Sequence, residues 1–461
     1  MVVPPHDNTN KTGMNQRSTF GSRFGAIAVV GGSVVGLGNI WKFPYVTGEN
    51  GGGAFILIYI VIGFLIAIPV MLSEFAVGRS TRKNALGAMK ALSPKRGWHS
   101  VGYLSILAAT VILPFYCVIA GWSLEFLKES FFNAFAGQSA AAIESRFGAF
   151  VATGWKPIIW TLAFLGVTSV IVGLGVEKGI ERYSKVLMPM LLLILIGLSI
   201  YSTTLDGFGR SVEFLFKPDF SKVTGGTVLK ALGQAFFSMS IGMGAMIPYG
   251  SYITRDESFN KIAGTVVVGD VFVAILAGMA IFPAVFSYGI SPTSGSDLVF
   301  ITLPTLFGQM PGGYIISIVF FILLIFAAMT SVFSLLEVLV AYFSEEFRVS
   351  RKAASKVVFF IMAVLAVLCA LSQMPDSAFR IGGMTLFAIF DYASSNFILP
   401  IGGLLITIFA GWVLNRNTLR NELTNYGTTG VKLYPLFRFM IKFVIPVAIA
   451  LMFLNIIGFL K

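Results

Sequence analysis

Asp270 is the one acidic residue in the apolar run 266–283. An ionisable group at that depth in an apolar helix is expensive and is functional by default. A second anomaly lies in residues 26–53, AIAVVGGSVVGLGNIWKFPYVTGENGGG. The stretch is apolar enough to be embedded in a membrane, yet it is interrupted at Gly31-Gly32-Ser33 and again at Gly36-Leu37-Gly38-Asn39. Each Gly costs about 1 kcal/mol relative to Ala in a helix interior. A helix broken inside a bilayer leaves N–H and C=O groups unpaired at several kcal/mol each. Neighbouring protein, water, or a bound ion with its co-substrate must satisfy them. Freed carbonyls, with side-chain oxygens of Ser, Thr, Asn and Asp, are the donor set that a hard cation requires.

The same interruption recurs. Residues 237–244 read Phe-Ser-Met-Ser-Ile-Gly-Met-Gly, with Pro248 beyond, as Pro44 follows the first break. Glycine-rich faces also arise where helices simply pack closely. Two breaks at matching positions of two halves, however, are the sequence mark of a transporter's central site.

These features sit in a chain of 461 residues that is 56% hydrophobic and only 12% charged, with mean hydropathy +0.84, 44 Phe and 49 Gly. Hydropathy predicts eleven spans, near 24–47, 52–80, 98–132, 157–175, 181–203, 227–255, 262–289, 312–344, 353–371, 382–412 and 435–459. Connections are short except 133–156 and 204–226, which should carry small surface helices. The net charge of +12 would suggest nucleic acid in a soluble protein. Here the basic residues lie in loops between spans, and most fall on one side if the N-terminus is inside. That bias places the N-terminus in the cytoplasm and, with an odd span count, the C-terminus outside, in a multi-pass protein of the cell's inner (plasma) membrane. The polar tail before Ser18 has no secretory h-region, so no cleaved signal peptide is expected. Cys117 and Cys369 fall inside apolar spans and should be buried and unpaired.

The two broken spans open successive blocks of five, and an odd-numbered block inverts its partner. The expected fold is all-α and integral to the membrane, with eleven transmembrane helices in an inverted five-helix repeat whose first and sixth helices are discontinuous. The expected parts are a cytoplasmic tail and inner gate (1–22), the first repeat (23–203), an extracellular connection (204–226), the second repeat (227–412), and an intracellular connection with the eleventh helix (413–461).

The residues that carry the breaks also carry a resemblance. Gly36-Leu37-Gly38-Asn39-Ile40-Trp41-Lys42-Phe43-Pro44-Tyr45 and Glu49-Asn50-Gly51-Gly52-Gly53-Ala54-Phe55 resemble the neurotransmitter:sodium symporter family, whose bacterial members include the leucine transporter. So do residues 69–78 (PVMLSEFAVG), Gly179-Ile180-Glu181-Arg182, Gly233-Gln234-Ala235-Phe236-Phe237-Ser238 and residues 327–337 (AAMTSVFSLLE). The resemblance covers about 20–460 and implies sodium-coupled uptake of an amino acid by alternating access.

It also implies site residues. One sodium would bind the Val34 carbonyl, Asn39, Ser238, Asp270 and the substrate's own carboxylate. A second would bind the carbonyls of Gly32, Val35 and Ala327 and the hydroxyls of Thr330 and Ser331. Chloride-dependent members carry a neutral residue where Asp270 stands, so chloride is not expected. The substrate carboxylate would meet the N–H groups of Leu37 and Gly38, at the positive end of a half-helix, and the hydroxyl of Tyr116. Its amine would meet the carbonyls of Val34, Phe237 and Ser238 and the hydroxyl of Ser240, with Ser33 close by. Its side chain would face Ile112, Phe237, Met243 and Leu335. Met243 is flexible and fits varied shapes, which favours a hydrophobic, bulky or aromatic L-amino acid.

Lys42 and Asp391 are the outer-gate candidates; Arg17 and Glu345, with Tyr252 nearby, are the inner ones. The spacing from Gly179 to Pro189 matches a family segment that would unwind to admit water to the second sodium. The expected partners are sodium, a small amino acid and the lipid bilayer, with neither nucleic acid nor an obligatory protein partner.

Enzyme chemistry finds little support. The two His residues, His6 and His99, lie in the tail and at a loop–helix junction, and no H-E-x-x-H, C-x-x-C or G-x-S-x-G occurs. Gly36-Leu37-Gly38 follows no strand and lacks the third Gly of a nucleotide loop. The alternative reading is a substrate-gated channel or amino-acid sensor on the same scaffold.

Overall fold

In the computed structural model, residues 18–289, 298–375, 377–456 and 459 are described. Arg17 lies outside them. The chain forms α1 (Arg23–Val34), α2 (Gly38–Glu49), α3 (Gly53–Thr81), a short α4 (Ala85–Leu92), α5 (Arg96–Phe131), a surface α6 (Ala140–Ala152), α7 (Trp155–Gly173), α8 (Val176–Ser202) and a surface α9 (Phe208–Phe216). It continues with α10 (Gly225–Ser238), α11 (Met246–Tyr252), α12 (Phe259–Ser287), α13 (Thr302–Phe307), α14 (Gly313–Glu346) and α15 (Arg351–Leu371). A hairpin of β1 (Arg380–Ile381) and β2 (Met384–Thr385) precedes α16 (Leu386–Val413), α17 (Arg416–Thr424) and α18 (Val431–Ile456).

Nine of the described helices are long and apolar enough to cross a membrane unbroken. The other two spans are interrupted: α1 and α2 meet at a 43° bend, and α10 and α11 are separated by residues 239–245. The expected eleven spans follow, with the first and sixth discontinuous. Surface helices α6 and α9 occupy the two long connections. The connection after α12 is a third, which hydropathy alone did not single out: Leu298, Val299 and Phe300 are buried there and lead into α13. The tenth span starts later than expected, because Gly382 and Gly383 both take positive φ and form the β1–β2 turn before Thr385 caps α16.

The broken elements sit at the centre. α1 packs on α8, α12 and α14, α11 lies along α3, and α5 and α14 form the longest contact in the bundle. Cys117 and Cys369 are buried and free.

Candidate cation and substrate site

The first break begins where the α1 ladder stops. The Val35 N–H donates to the Gly31 carbonyl at 2.7 Å, and Val35 itself is extended. The carbonyls of Gly32, Val34 and Val35 therefore lie beyond the last regular turn, while the amides of Leu37 and Gly38 open the next helix. Asn39 folds back to bridge the gap: its Oδ1 accepts from the Gly36 N–H at 3.2 Å.

Asn39 also fixes the break to α12. Its Nδ2 donates to Asp270 Oδ1 at 2.7 Å and to the Asp270 carbonyl at 3.2 Å. Ser238 Oγ, at the end of α10, lies 3.0 Å from Asp270 Oδ1 and 3.1 Å from Asn39 Oδ1. The Tyr59 hydroxyl donates to Asp270 Oδ2 at 2.5 Å. All four side chains are buried. Every one of these partners is neutral, and among the described residues no Lys or Arg pairs with Asp270. A buried carboxylate of this kind is stabilised by a cation. Asn39 Oδ1, Ser238 Oγ and Asp270 Oδ1 supply hard oxygen donors around one point beside the α1 break. Gly38 permits the approach: a Cβ there would lie 2.9 Å from Ser238 Cα.

Part of the second set also lies close together. A Cβ on Gly32 would touch Thr330 Cβ at 3.0 Å, and one on Gly36 would lie 3.2 Å from Ser331 Cβ and 3.4 Å from the Ala327 carbonyl. The first break thus lies directly on α14. Thr330 Oγ1 bonds the Ala327 carbonyl at 3.1 Å, whereas Ser331 Oγ is buried with no hydrogen-bond partner among the described residues. Met188, next to Pro189 in α8, rests against Gly31 and Gly32.

The sixth span breaks where Ser240, Gly242 and Gly244 take positive φ (50°, 79° and 70°). Ser240 is the costly one, since a side chain disfavours this region. Its Oγ donates to the Ser33 carbonyl at 2.7 Å and so joins the two breaks; among the described residues the Ser33 hydroxyl is itself unpartnered. The freed amides of Gly242 and Met246 donate to Glu74 of α3 at 2.8 and 3.1 Å. Glu74 was not among the candidate residues, although it is the one acidic residue in 53–81 and the argument made for Asp270 applies to it equally.

Ile112, Tyr116, Phe237, Met243 and Leu335 are all buried. The Tyr116 and Phe237 rings are 5.8 Å apart, and Phe115 stacks on Phe237 at 6.5 Å. Lys42 Nζ sits 4.2 Å over the Phe237 ring and pairs with Asp391 Oδ1 and Ser395 Oγ, each at 2.9 Å. One ammonium therefore ties Asp391 to the Phe237 ring.

On the opposite side Tyr252 donates to Glu337, which Arg351 holds at 2.6 Å, while Glu345 accepts from the Asn84 amide at 2.8 Å. Tyr252 thus contacts a pair between buried Glu337 and half-buried Arg351 that the sequence reading did not name. At the membrane surface Glu346 bonds Lys90 Nζ at 2.5 Å and pushes the lysine's pKa up. Phe20 closes against Tyr249 and Tyr252, with its N–H on the Tyr252 carbonyl at 3.1 Å. The Gly21 N–H is held by Glu181 at 2.8 Å, and Glu181 also pairs with Lys185 at 2.6 Å. In this state residues 176–181 are wound, as a widened helical turn, and not unravelled.

Residues 17–146 and 151–460 match the model of the sodium:neurotransmitter symporter family. The chain belongs to that family. This symporter is 37% identical, over 95% of its length and 98% of the relative's, to the sodium-dependent transporter YhdH of Bacillus subtilis (strain 168). It is 24% identical to the sodium- and chloride-dependent GABA transporter 2 of Rattus norvegicus, over 96% of this chain and 81% of that one. The crystal structure of MhsT in complex with L-phenylalanine superposes with a TM-score of 0.88 at 41% identity, covering 95% of this chain and all of MhsT. The protein is a multi-pass, sodium-coupled membrane transporter.

Proposed function

We propose that this symporter takes up a bulky hydrophobic or aromatic L-amino acid together with two sodium ions, by alternating access and without chloride. The observation that carries the reading is the buried Asp270 carboxylate, ringed by neutral donors, beside a helix break. It supplies the fixed negative charge that chloride would otherwise bring. On this reading Asn39, Ser238, Asp270 and the Val34 carbonyl hold one sodium with the substrate carboxylate. Thr330, Ser331 and the carbonyls of Gly32, Val35 and Ala327 hold the other.

The N–H groups of Leu37 and Gly38 and the Tyr116 hydroxyl receive the carboxylate, while Ser33, Ser240 and the carbonyls of Phe237 and Ser238 surround the amine. Ile112, Phe237, Met243 and Leu335 accept the side chain, and a ligand such as the L-phenylalanine of MhsT suits this apolar, partly flexible wall. The repeats are 23–203 and 227–412, with the N-terminus in the cytoplasm and the C-terminus outside the plasma membrane. Contacts close over the pocket from both faces, Lys42–Asp391 on one and Phe20–Tyr252 on the other. That closure fits alternating access better than a continuous pore or a passive sensor. Two cations crossing 100 mV supply about 4.6 kcal/mol, enough to concentrate a net-neutral substrate more than about 1,000-fold.

In proteoliposomes, labelled phenylalanine or leucine should accumulate only with inward sodium and be displaced by apolar amino acids. Displacement by glycine or glutamate in preference to them would refute the substrate class. Uptake should be unchanged when gluconate replaces chloride; its loss would remove the role given to Asp270 in charge balance.

A further inference from the structure

We infer that a groove between α7 and α15 is a binding site for an anionic glycerophospholipid. The groove has a volume of 530 Å³ and is walled by Val170, Leu174, Phe359 and Phe360. Val170, Leu174 and Phe360 are exposed on membrane-spanning helices, so hydrocarbon is their natural neighbour. Gly166 and Gly173 line its floor without side chains, and a Cβ at Gly166 would already touch Phe359 at 3.7 Å.

Two features go beyond an apolar cleft. Lys352 and Lys356, one helical turn apart on the first turns of α15, both line the groove, and among the described residues neither makes an ion pair. They stand at the N-terminal end of a 21-residue helix, where the helix dipole adds to their positive field. The second feature is Ser169. It is buried and lines the groove, and among the described residues its hydroxyl has no hydrogen-bond partner, although its carbonyl accepts from Ser355 Oγ at 2.6 Å. A phosphodiester between the two lysines with an acyl chain running past Phe359 would match the positive charge and the apolar wall, and its glycerol ester oxygens would offer acceptors toward Ser169. A free phosphate would leave the apolar wall unused, and a zwitterionic lipid would gain little from the lysines.

Native mass spectrometry of the full-length transporter with phosphatidylglycerol, or with phosphatidylcholine of the same chains, tests this. Wild type should retain phosphatidylglycerol in preference. Lys352→Gln/Lys356→Gln should weaken that retention about tenfold or more, and Lys352→Arg/Lys356→Arg should preserve it. Gly166→Leu, which fills the floor while keeping both charges, should weaken retention as well. Equal retention of phosphatidylglycerol by wild type, the double Gln variant and Gly166→Leu would overturn the site. So would competition by glycerol 3-phosphate as effective as that by the intact lipid.

Discussion

Asp270→Asn lowers sodium affinity by at least about a hundredfold and, with it, sodium-dependent substrate binding. The substitution keeps the size of the side chain and one oxygen for Tyr59 or Ser238 but removes the charge that, on the proposed reading, would face the cation. Removing one partner of a buried charge pair costs about 3–5 kcal/mol, and each 1.4 kcal/mol is tenfold in affinity. Tyr59→Phe, which removes one donor at 2.5 Å and leaves the charge, should have a smaller effect, about 1–3 kcal/mol. Scintillation-proximity binding of labelled phenylalanine or leucine over a sodium titration separates the two. An Asp270→Asn protein with the sodium dependence of wild type would mean that the carboxylate does not hold the ion.

Glu74→Ala is expected to be the most damaging change away from the ligands. It strands the amides of Gly242 and Met246, both donors at the mid-membrane break of the sixth span. Two unpaired buried amides cost about 2–6 kcal/mol together, and water is not at hand to replace the carboxylate. Transport should be lost and thermal stability in detergent should fall sharply. Glu74→Gln keeps one acceptor but presents an NH₂ to one of the two amides, so an intermediate loss is expected. Wild-type stability of Glu74→Ala would show that the break is held by something other than this side chain.

Much of this site is visible in the linear chain because bilayers punish anomalies. Asp270 announces itself as a lone acid in an apolar run, and the Ser-Gly interruptions at 31–39 and 237–244 mark where backbone groups must find partners. The structure brings Asn39, Ser238 and Asp270 into one cluster and lays Gly32 and Gly36 on Thr330, Ser331 and Ala327. What could not be read were partnerships set by tertiary packing. Glu74 is part of the motif at 69–78, but nothing local says that its carboxylate meets the break before α11. Glu337 and Arg351, 14 positions apart, meet only because α14 and α15 turn back on each other. The turn and β2 of the hairpin fall inside the expected tenth span, 382–412, because the apolar run that follows them hides a turn only a few residues long.

The bond from the Gly21 amide to Glu181 has a bearing on the order of events during the transport cycle. The donor is a main-chain amide and the acceptor a side-chain carboxylate of α8, so the start of α1 comes free from α8 when the Glu181 side chain turns away or the segment before α1 moves off it. The same helix presses Met188 onto Gly32, beside the oxygens proposed for the second cation. On the proposed reading, parting of α1 from α8 would loosen both contacts, so release of that ion and opening of the inner face would coincide.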